Sequence, residues 1–292
     1  MNIVKISWWL WNQMFQYMFG IALGEDTKFD ISLYQSKKIH NGFELEKVFK
    51  NIKIPICTIQ ERMRLRRKYI MLYGQQVSLD LAEKMIFWKN ILFQPKTSHI
   101  KELINNQFNP FYLEQNEEKY FEWYWASEKY FKSTGDLYKS IFRFSDFNDT
   151  ENKNMAKMIL HSNSISLHVR RGDFVKWKRC IDDSFWYRAI EIFKTEKDAH
   201  FFVFSDDIDY CKKLFSEEKN FTYVEHNNKE NSFRDMQLMS YCKHNIISNS
   251  TFSWWWAMLN ANYKKCIVCP KKSPDFPQEI KGDYFCDKWI QI

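Results

Sequence analysis

Ser164-Ile165-Ser166-Leu167-His168-Val169-Arg170-Arg171-Gly172-Asp173 decides the reading of this chain. A short strand-like run is followed at once by an imidazole, two guanidinium groups, a glycine and a carboxylate. In open α/β sheets ligands bind beyond the carboxyl ends of the strands, so a strand that ends in such residues points at a ligand. Arginine presents a planar fork of donors that matches phosphate oxygens, and it stays protonated at physiological pH. The stretch therefore reads as a grip for a diphosphate. A solvated basic turn after a buried strand is the competing reading.

The residues that follow favour the grip. Beyond residue 160, short β-branched and aromatic runs alternate with segments of helical period, the mark of a parallel α/β layer. Five strands are expected: Ser164 to Val169, Phe201 to Ser205, Thr222 to Glu225, Asn245 to Ser248 and Cys266 to Cys269. Helices are expected at Asp182 to Phe193, Asp207 to Phe215, Ser232 to Cys242 and Thr251 to Asn262, where apolar residues recur every three or four positions. Right-handed crossovers give a Rossmann-like unit. His168 to Asp173, Ser205 to Asp207 and Ser248 to Thr251 all fall at strand ends, so three polar clusters are expected to share one crevice.

A strand-to-helix signature also opens the chain, with Ile3 to Ile6 as strand and Asn12 to Leu23 as helix, Asn12 serving as its N-cap. At 292 residues the chain exceeds what one core usually organises. The polar segment Asp146 to Lys153, DFNDTENK, reads as a linker between domains spanning residues 1–150 and 151–292.

Taken in order, five blocks resemble the bacterial α-1,2-fucosyltransferases of glycosyltransferase family 11. They are NQMFQYMFG at Asn12 to Gly20, ASEKYF at Ala126 to Phe131, SLHVRRGDF at Ser166 to Phe174, FSDD at Phe204 to Asp207, and MQLMSYCKHNIISNSTFSWWWAMLN at Met236 to Asn260. The third looks like the His-x-Arg-Arg-x-Asp motif shared by α-1,2- and α-1,6-fucosyltransferases. The resemblance implies an α/β fold of GT-B type, two Rossmann-like domains facing a central cleft, with GDP-fucose on the C-terminal domain and the acceptor on the N-terminal one. It further implies an inverting, metal-independent transfer of L-fucose from GDP-β-L-fucose to the 2-hydroxyl of a terminal galactose in a glycan such as an O-antigen or lipopolysaccharide. No cofactor is required beyond the donor.

Within that frame Arg170 is expected to stabilise charge on the departing β-phosphate. Arg171 either grips phosphate or folds inward to brace the loop, and His168 contacts phosphate or ribose. Gly172 lets the backbone turn tightly. Asp173 orients the arginines by ion pairing, or caps a helix or turn. Asn249, Ser250 and Thr251 precede an apolar helix and receive phosphate at its positive end, a role compatible with plain capping by Ser250. Asp206 or Asp207 accepts from guanine or ribose, with capping of the next helix as the alternative. Adjacent carboxylates without further acidic ligands make a weak magnesium site, and no metal is expected. Asn12 and Gln13 resemble the family's Asn-Gln pair near the acceptor; neither is basic enough to be a simple general base, and that role stays unassigned.

One departure stands out. Where family members carry a Gly-Gly-Leu-Gly turn, this chain reads Trp8-Trp9-Leu10-Trp11; glycine is also usual near Trp123 and at Trp256. The chain has only 7 glycines but 12 tryptophans. Indoles at turns that use glycine restrict the backbone and fill space. An altered active site that still folds but binds donor or acceptor poorly is the preferred reading of these tryptophans, over an aromatic platform for stacking on sugar faces and over simple core packing; a catalytically impaired relative that binds GDP or glycan only is kept as the alternative to the active transferase.

A net charge of +7 and a pI near 8.8 suit an anionic nucleotide substrate. The basic run Arg62 to Lys68 reads as a solvated helix face before a membrane-surface contact. With no apolar stretch near the ~20 residues that span a bilayer, a cytoplasmic enzyme is expected, with peripheral contact with the inner membrane as a possibility. Seven scattered cysteines suit reduced thiols, and Cys266-x-x-Cys269 reads as core rather than zinc. His226 and His244 read as structural. Nucleic acid ranks last as a partner, because the aromatics follow core-like periods rather than a basic face.

Overall fold

Two parallel sheets organise the chain. The computed structural model describes residues 1–36, 39–66, 69–72, 75–78, 98–102, 107–271 and 283–292. These fall into two compact units: Met1–Lys47 with Asn51–Ile141, and Val48–Lys50 with Phe142–Ile292.

The N-terminal unit runs β1 (Ile3–Lys5), α1 (Leu10–Ala22), β2 (Lys28–Asp30), α2 (Ser32–Ser36), α3 (Leu45–Val48), α4 (Ile59–Leu65), β3 (Tyr69–Leu72), β4 (Gln75–Ser78), β5 (His99–Lys101), β6 (Tyr120–Glu122) and α5 (Leu137–Ile141). Its main sheet has the order β2-β1-β6-β5 with every neighbour parallel, while β3 and β4 form an antiparallel pair. Helix α1 is buried along most of its length, as a helix with apolar residues on nearly every side must be. Gly20 is required there, since a Cβ would meet the Phe29 ring at 2.5 Å.

The C-terminal unit runs α6 (Thr150–His161), β7 (Asn163–Val169), α7 (Gly172–Lys176), α8 (Asp183–Lys194), β8 (Ala199–Ser205), α9 (Ile208–Leu214), β9 (Phe221–Val224), α10 (Ser232–Tyr241), β10 (His244–Ile246), α11 (Thr251–Leu259), β11 (Ile267–Cys269) and β12 (Ile290–Gln291). All six strands are parallel, in the order β12-β11-β10-β7-β8-β9. On one face, Ile165, Leu167 and Val169 pack with Phe201 and Val203 against the α8 stripe of Phe185, Trp186, Ala189, Ile190 and Phe193. That stripe repeats every three or four residues, and each large apolar side chain buried in it contributes about 1.5–3 kcal/mol. The other face of β7 is polar: Ser166 Oγ accepts from Asn245 Nδ2 at 2.8 Å, and Asn245 Oδ1 accepts from Asn260 Nδ2 at 2.7 Å.

The expected strands and helices are present with ends shifted by a few residues, and the α/β architecture with parallel sheets holds. Strand β12 had no sequence signal, because two residues are too short to show a period. Asn12 is not the N-cap of α1: the helix starts at Leu10, Trp9 occupies the cap without a side-chain bond, and Asn12 is buried in the first turn. Helix α11 stops at Leu259 because Asn260 leaves helical geometry and donates to the Cys242 carbonyl at 2.8 Å. The polar segment DFNDTENK is no free linker. Asp149 caps α6 by accepting from the Asn152 N–H at 2.7 Å, so its polarity serves a helix start, and the division between units falls earlier, at Ile141–Phe142.

Candidate functional site

The order β12-β11-β10-β7-β8-β9 reverses direction at β7, whose successors lie on one side and whose later neighbours lie on the other. A crevice opens at such a switch point, outside the carboxyl ends of the two strands that part. His168 and Arg170 leave β7 there, and Asn249 to Thr251 leave β10.

His168 is buried. Its Nδ1 lies 2.6 Å from Ser253 Oγ and 3.4 Å from Ser248 Oγ, which are themselves 2.9 Å apart. Burial first, and then the charge of Arg170, push the imidazole down to about 3, so it is neutral at physiological pH. His168 thus ties the end of β7 to the first turn of α11 through its Nδ1.

Arg170 is held from two sides. Nη2 donates to Asp173 Oδ1 at 2.7 Å, and Nη1 pairs with Asp206 Oδ2 at 2.8 Å. Its Cζ lies 5.3 Å from the centroid of the Phe174 ring, and Nε–H is buried without a partner. Of the five N–H donors of a guanidinium, two are committed to orienting it. Of the two readings of Asp173, the ion pair is formed, and the residue also lies in the first turn of α7.

Asp206 carries more than one load. Besides Arg170 it accepts the Arg171 backbone N–H through Oδ1 at 2.7 Å. Gly172, at φ +26°, lies directly over it. Arg171 places its guanidinium over Tyr210, with Cζ 3.6 Å from the ring centroid, and its Nε is 3.8 Å from Asp207 Oδ2. Tyr210 is fixed in turn by donating to Asp183 Oδ1 at 2.5 Å. Asp207 caps α9 by accepting from the Tyr210 N–H at 3.2 Å, the capping alternative for the acidic pair.

Ser250 caps α11, accepting from the Phe252 N–H at 3.3 Å, and Thr251 is the first residue of that helix. Asn249 Nδ2 donates to the Arg179 carbonyl at 3.1 Å. The three expected clusters therefore do meet, by direct hydrogen bonds between β7, β8 and β10 loops. Sequence reasoning missed Tyr210, an ordinary helix residue by pattern that only the fold brings to the arginine. Ser253 is expected among the phosphate-facing hydroxyls of Asn249 to Ser253, but its pairing with His168 is not legible in the sequence.

Of the remaining histidines, His226 Nε2 lies 3.0 Å from Asn152 Oδ1, and His244 Nδ1 accepts from the Cys266 N–H at 3.0 Å, both structural as read. Cys269 is buried and Cys266 half-buried. Within the basic run, Arg62 lies 3.4 Å from Asp30 and Arg64 lies 2.7 Å from Glu118, so part of its charge is met inside the protein; Arg67 and Lys68 lie outside the described residues. Among the described residues no helix is long and apolar enough to cross a membrane.

The N-terminal sheet, β2-β1-β6-β5, has its own switch point at β1. Trp8 follows β1 and Trp123 follows β6, and both adopt left-handed or extended positive φ, +70° and +134°. Trp125 does so too, at +56°. Two buried amides on α1 hold these turns. Gln13 Nε2 lies 3.0 Å from the Trp8 carbonyl and 2.9 Å from that of Gly42, while its Oε1 accepts from the Glu44 N–H at 2.9 Å. Gln16 Nε2 donates to the Trp123 carbonyl at 2.8 Å, and its Oε1 accepts from the Ser7 N–H at 2.8 Å. The sequence signal was present: Asn12, Gln13 and Gln16 are polar in a helix otherwise apolar enough to be buried. Trp256, in α11, is fully buried, and its Nε1 has no partner.

A family model described as Glycosyl transferase family 11 matches residues 4–292. The chain is similar to the alpha-1,2-colitosyltransferase of Escherichia coli, at 30% identity over 308 residues that span 99% of this chain and 98% of that protein. It is also similar to galactoside alpha-(1,2)-fucosyltransferase 1 of Homo sapiens, at 29% identity over 103 residues, 32% of this chain and 28% of the human protein. Among solved structures, fucosyltransferase NodZ from Bradyrhizobium overlaps 88% of this chain and 92% of its own at 13% identity, with a TM-score of 0.48.

Proposed function

Because this chain belongs to glycosyl transferase family 11, we propose that it transfers a 6-deoxy sugar, L-fucose or colitose, from a GDP-linked donor to the 2-hydroxyl of a terminal galactose in a glycan. Two relatives bear α-1,2 transferase names, one for colitose and one for fucose, which supports the linkage and leaves the choice of sugar to experiment. The C-terminal unit is assigned the donor and the N-terminal unit the acceptor.

The observation that carries this reading is the Arg170 guanidinium, oriented at the β7 switch point by Asp173 and Asp206 with its Nε–H unsatisfied. In an inverting transfer the acceptor oxygen attacks the anomeric carbon from the face opposite the diphosphate, and the bond to the β-phosphate oxygen breaks as the new one forms. The oxygen that leaves gains negative charge. A donor already fixed in place meets that charge without reorganising, which is where electrostatic stabilisation is largest. Arg171, carried on Tyr210, supplies a second positive charge, and the first turn of α11 offers backbone donors to phosphate. His168 is assigned to shaping the loop and contacting the donor, not to removing the acceptor proton, because an imidazole held near 3 is too weak a base. Asn12 is assigned to the acceptor side.

A second reading, that the chain binds GDP or glycan without transfer, is favoured by the tryptophans at glycine-type φ beside β1 and β6. One experiment separates the two. The purified chain is titrated with GDP and assayed with GDP-fucose and GDP-colitose on lactose, alongside Arg170→Ala. Transfer to the galactose 2-hydroxyl, reduced about 100-fold or more in the variant, supports the enzyme. GDP binding with no transfer supports the second reading, and near-normal turnover in the variant overturns the role given to Arg170.

A further inference from the structure

Trp8 combines three properties that ordinary packing does not bring together. Its backbone lies at φ +70°, a conformation that costs a non-glycine residue about 1–2 kcal/mol. Its carbonyl is fixed by two donors, Gln13 Nε2 at 3.0 Å and the Tyr34 hydroxyl at 2.6 Å. Its indole is nevertheless 40% exposed, whereas Trp125, Trp254, Trp255 and Trp256 are all fully buried. Strain of this kind persists only where the surroundings over-determine it, and it gathers at ligand sites. Here buried amides maintain a strained turn that leaves Trp8 partly exposed, with the rings of Tyr124 and His40 beside its indole.

The place matters as much as the geometry. Trp8 stands at the carboxyl end of β1, the switch point of its sheet, where a ligand crevice is expected. Tyr124, from the turn after β6, lies beside it with the two rings 28° from parallel and their centroids 6.3 Å apart. Trp8 is exposed and Tyr124 half-buried, so two near-parallel rings and a phenol hydroxyl are grouped beside the β1 turn. A pyranose ring offers a matching face of C–H groups with hydroxyls around its rim, and an amphipathic aromatic suits a ligand that is apolar on one side and wet on the other.

We propose that Trp8 and Tyr124 form a stacking platform for a pyranose ring of the acceptor glycan, with Gln13 as the positioning residue that holds Trp8 outward. The proposal rests on the acceptor assignment above, yet it concerns sugar binding and is testable without turnover. It reverses the view of Trp8 as an obstruction: the indole is the binding surface rather than the plug.

The test is lactose binding to the full chain by saturation-transfer NMR, compared among the parent, Trp8→Gly and Trp8→Phe, with GDP affinity measured on each. The platform predicts that Trp8→Gly weakens lactose at least fivefold, that Trp8→Phe restores it to within about twofold, and that GDP affinity stays unchanged in both, since the donor is assigned to the C-terminal unit. Lactose binding that is unchanged or tighter in Trp8→Gly overturns the proposal in favour of an obstructing indole, and so does a parent that shows no lactose binding. A parent that binds lactose and GDP but transfers nothing overturns the transferase reading while leaving the platform standing.

Discussion

Gly172 sits over the carboxylate of Asp206 so closely that a Cβ on the glycine would stand 2.4 Å from Oδ2. That oxygen is the one paired with Arg170 at 2.8 Å, and the other oxygen of the same carboxylate holds the Arg171 N–H. The side chain at position 172 is thus absent so that one aspartate can brace both arginines. Gly172→Ala is expected to push Asp206 aside and release Arg170, lowering GDP affinity and transfer at least tenfold while the thermal midpoint falls little, because the loop lies outside both cores. Unchanged GDP affinity in a folded variant counts against this bracing role.

At Trp8 and Trp123 the backbone cost and the side chain can be separated by paired variants. Alanine and glycine both remove the indole, but only glycine is at ease at φ +70° or +134°. At each position the glycine variant is expected to be more stable than the alanine variant by about 1 kcal/mol, less than the 1–2 kcal/mol of left-handed strain because glycine also gains freedom in the unfolded chain. Denaturant midpoints with equal slopes give the comparison directly, and alanine variants as stable as their glycine partners mean that the turns relax when the indole goes.

Much of this was written in the sequence. The β-branched and aromatic runs of β7 and β8 and the three- and four-residue spacing on α8 are local properties, and they suffice to read the C-terminal layer. The convergence of His168 to Asp173, Asp206 and Ser250 was legible as well, since carboxyl ends of parallel strands share one edge. What was not legible depends on distance across the fold. No pattern in the chain says that Tyr210 lies under Arg171, that Asp206 lies under Gly172, or that Gln13 and Gln16 spend their amides on loops rather than on a cap. Asn12 reads as a cap because a polar residue before an apolar helix usually is one; in the fold it lies inside the first turn of α1, and Gln13 and Gln16 bond to the loops. DFNDTENK misled by the same logic in reverse, since the residues that make linkers polar also start helices.

Trp254 and Trp256 in α11 provide a controlled pair. Both are fully buried, but Trp254 Nε1 donates to the Tyr284 carbonyl at 2.7 Å while Trp256 Nε1 has no acceptor. Replacing either with phenylalanine removes similar volume and leaves a similar void. The first replacement also strands a buried carbonyl, whereas the second removes a donor that was already unsatisfied, a group that costs about 1–3 kcal/mol. Trp254→Phe is therefore expected to destabilise by about 1–2 kcal/mol more than Trp256→Phe. Equal losses by urea unfolding indicate that volume alone governs this helix.

His168 sets an acid limit on the C-terminal unit. Its imidazole is held near 3 when folded, chiefly by burial, and returns to 6.5 when the chain unfolds. Between those values the unfolded state binds the extra proton, so stability falls as pH drops through that window, by about 1.4 kcal/mol per unit from this one group, and the full contribution is present above 6.5. Glu102 acts in the opposite sense. Burial pushes its carboxyl up to about 8 from 4.5, so the folded state keeps a proton that the unfolded state gives up, and stability falls as pH rises through that range. The two slopes overlap between 4.5 and 6.5 and largely cancel there, which a parent curve alone would hide. His168→Asn and Glu102→Gln separate them: the first is expected to lose the acid-side decline relative to the parent, and the second to gain stability progressively above pH 5. Urea unfolding at unit steps from pH 4 to pH 8 reads both differences, and curves parallel to the parent in either variant rule out that residue as a source of the pH dependence.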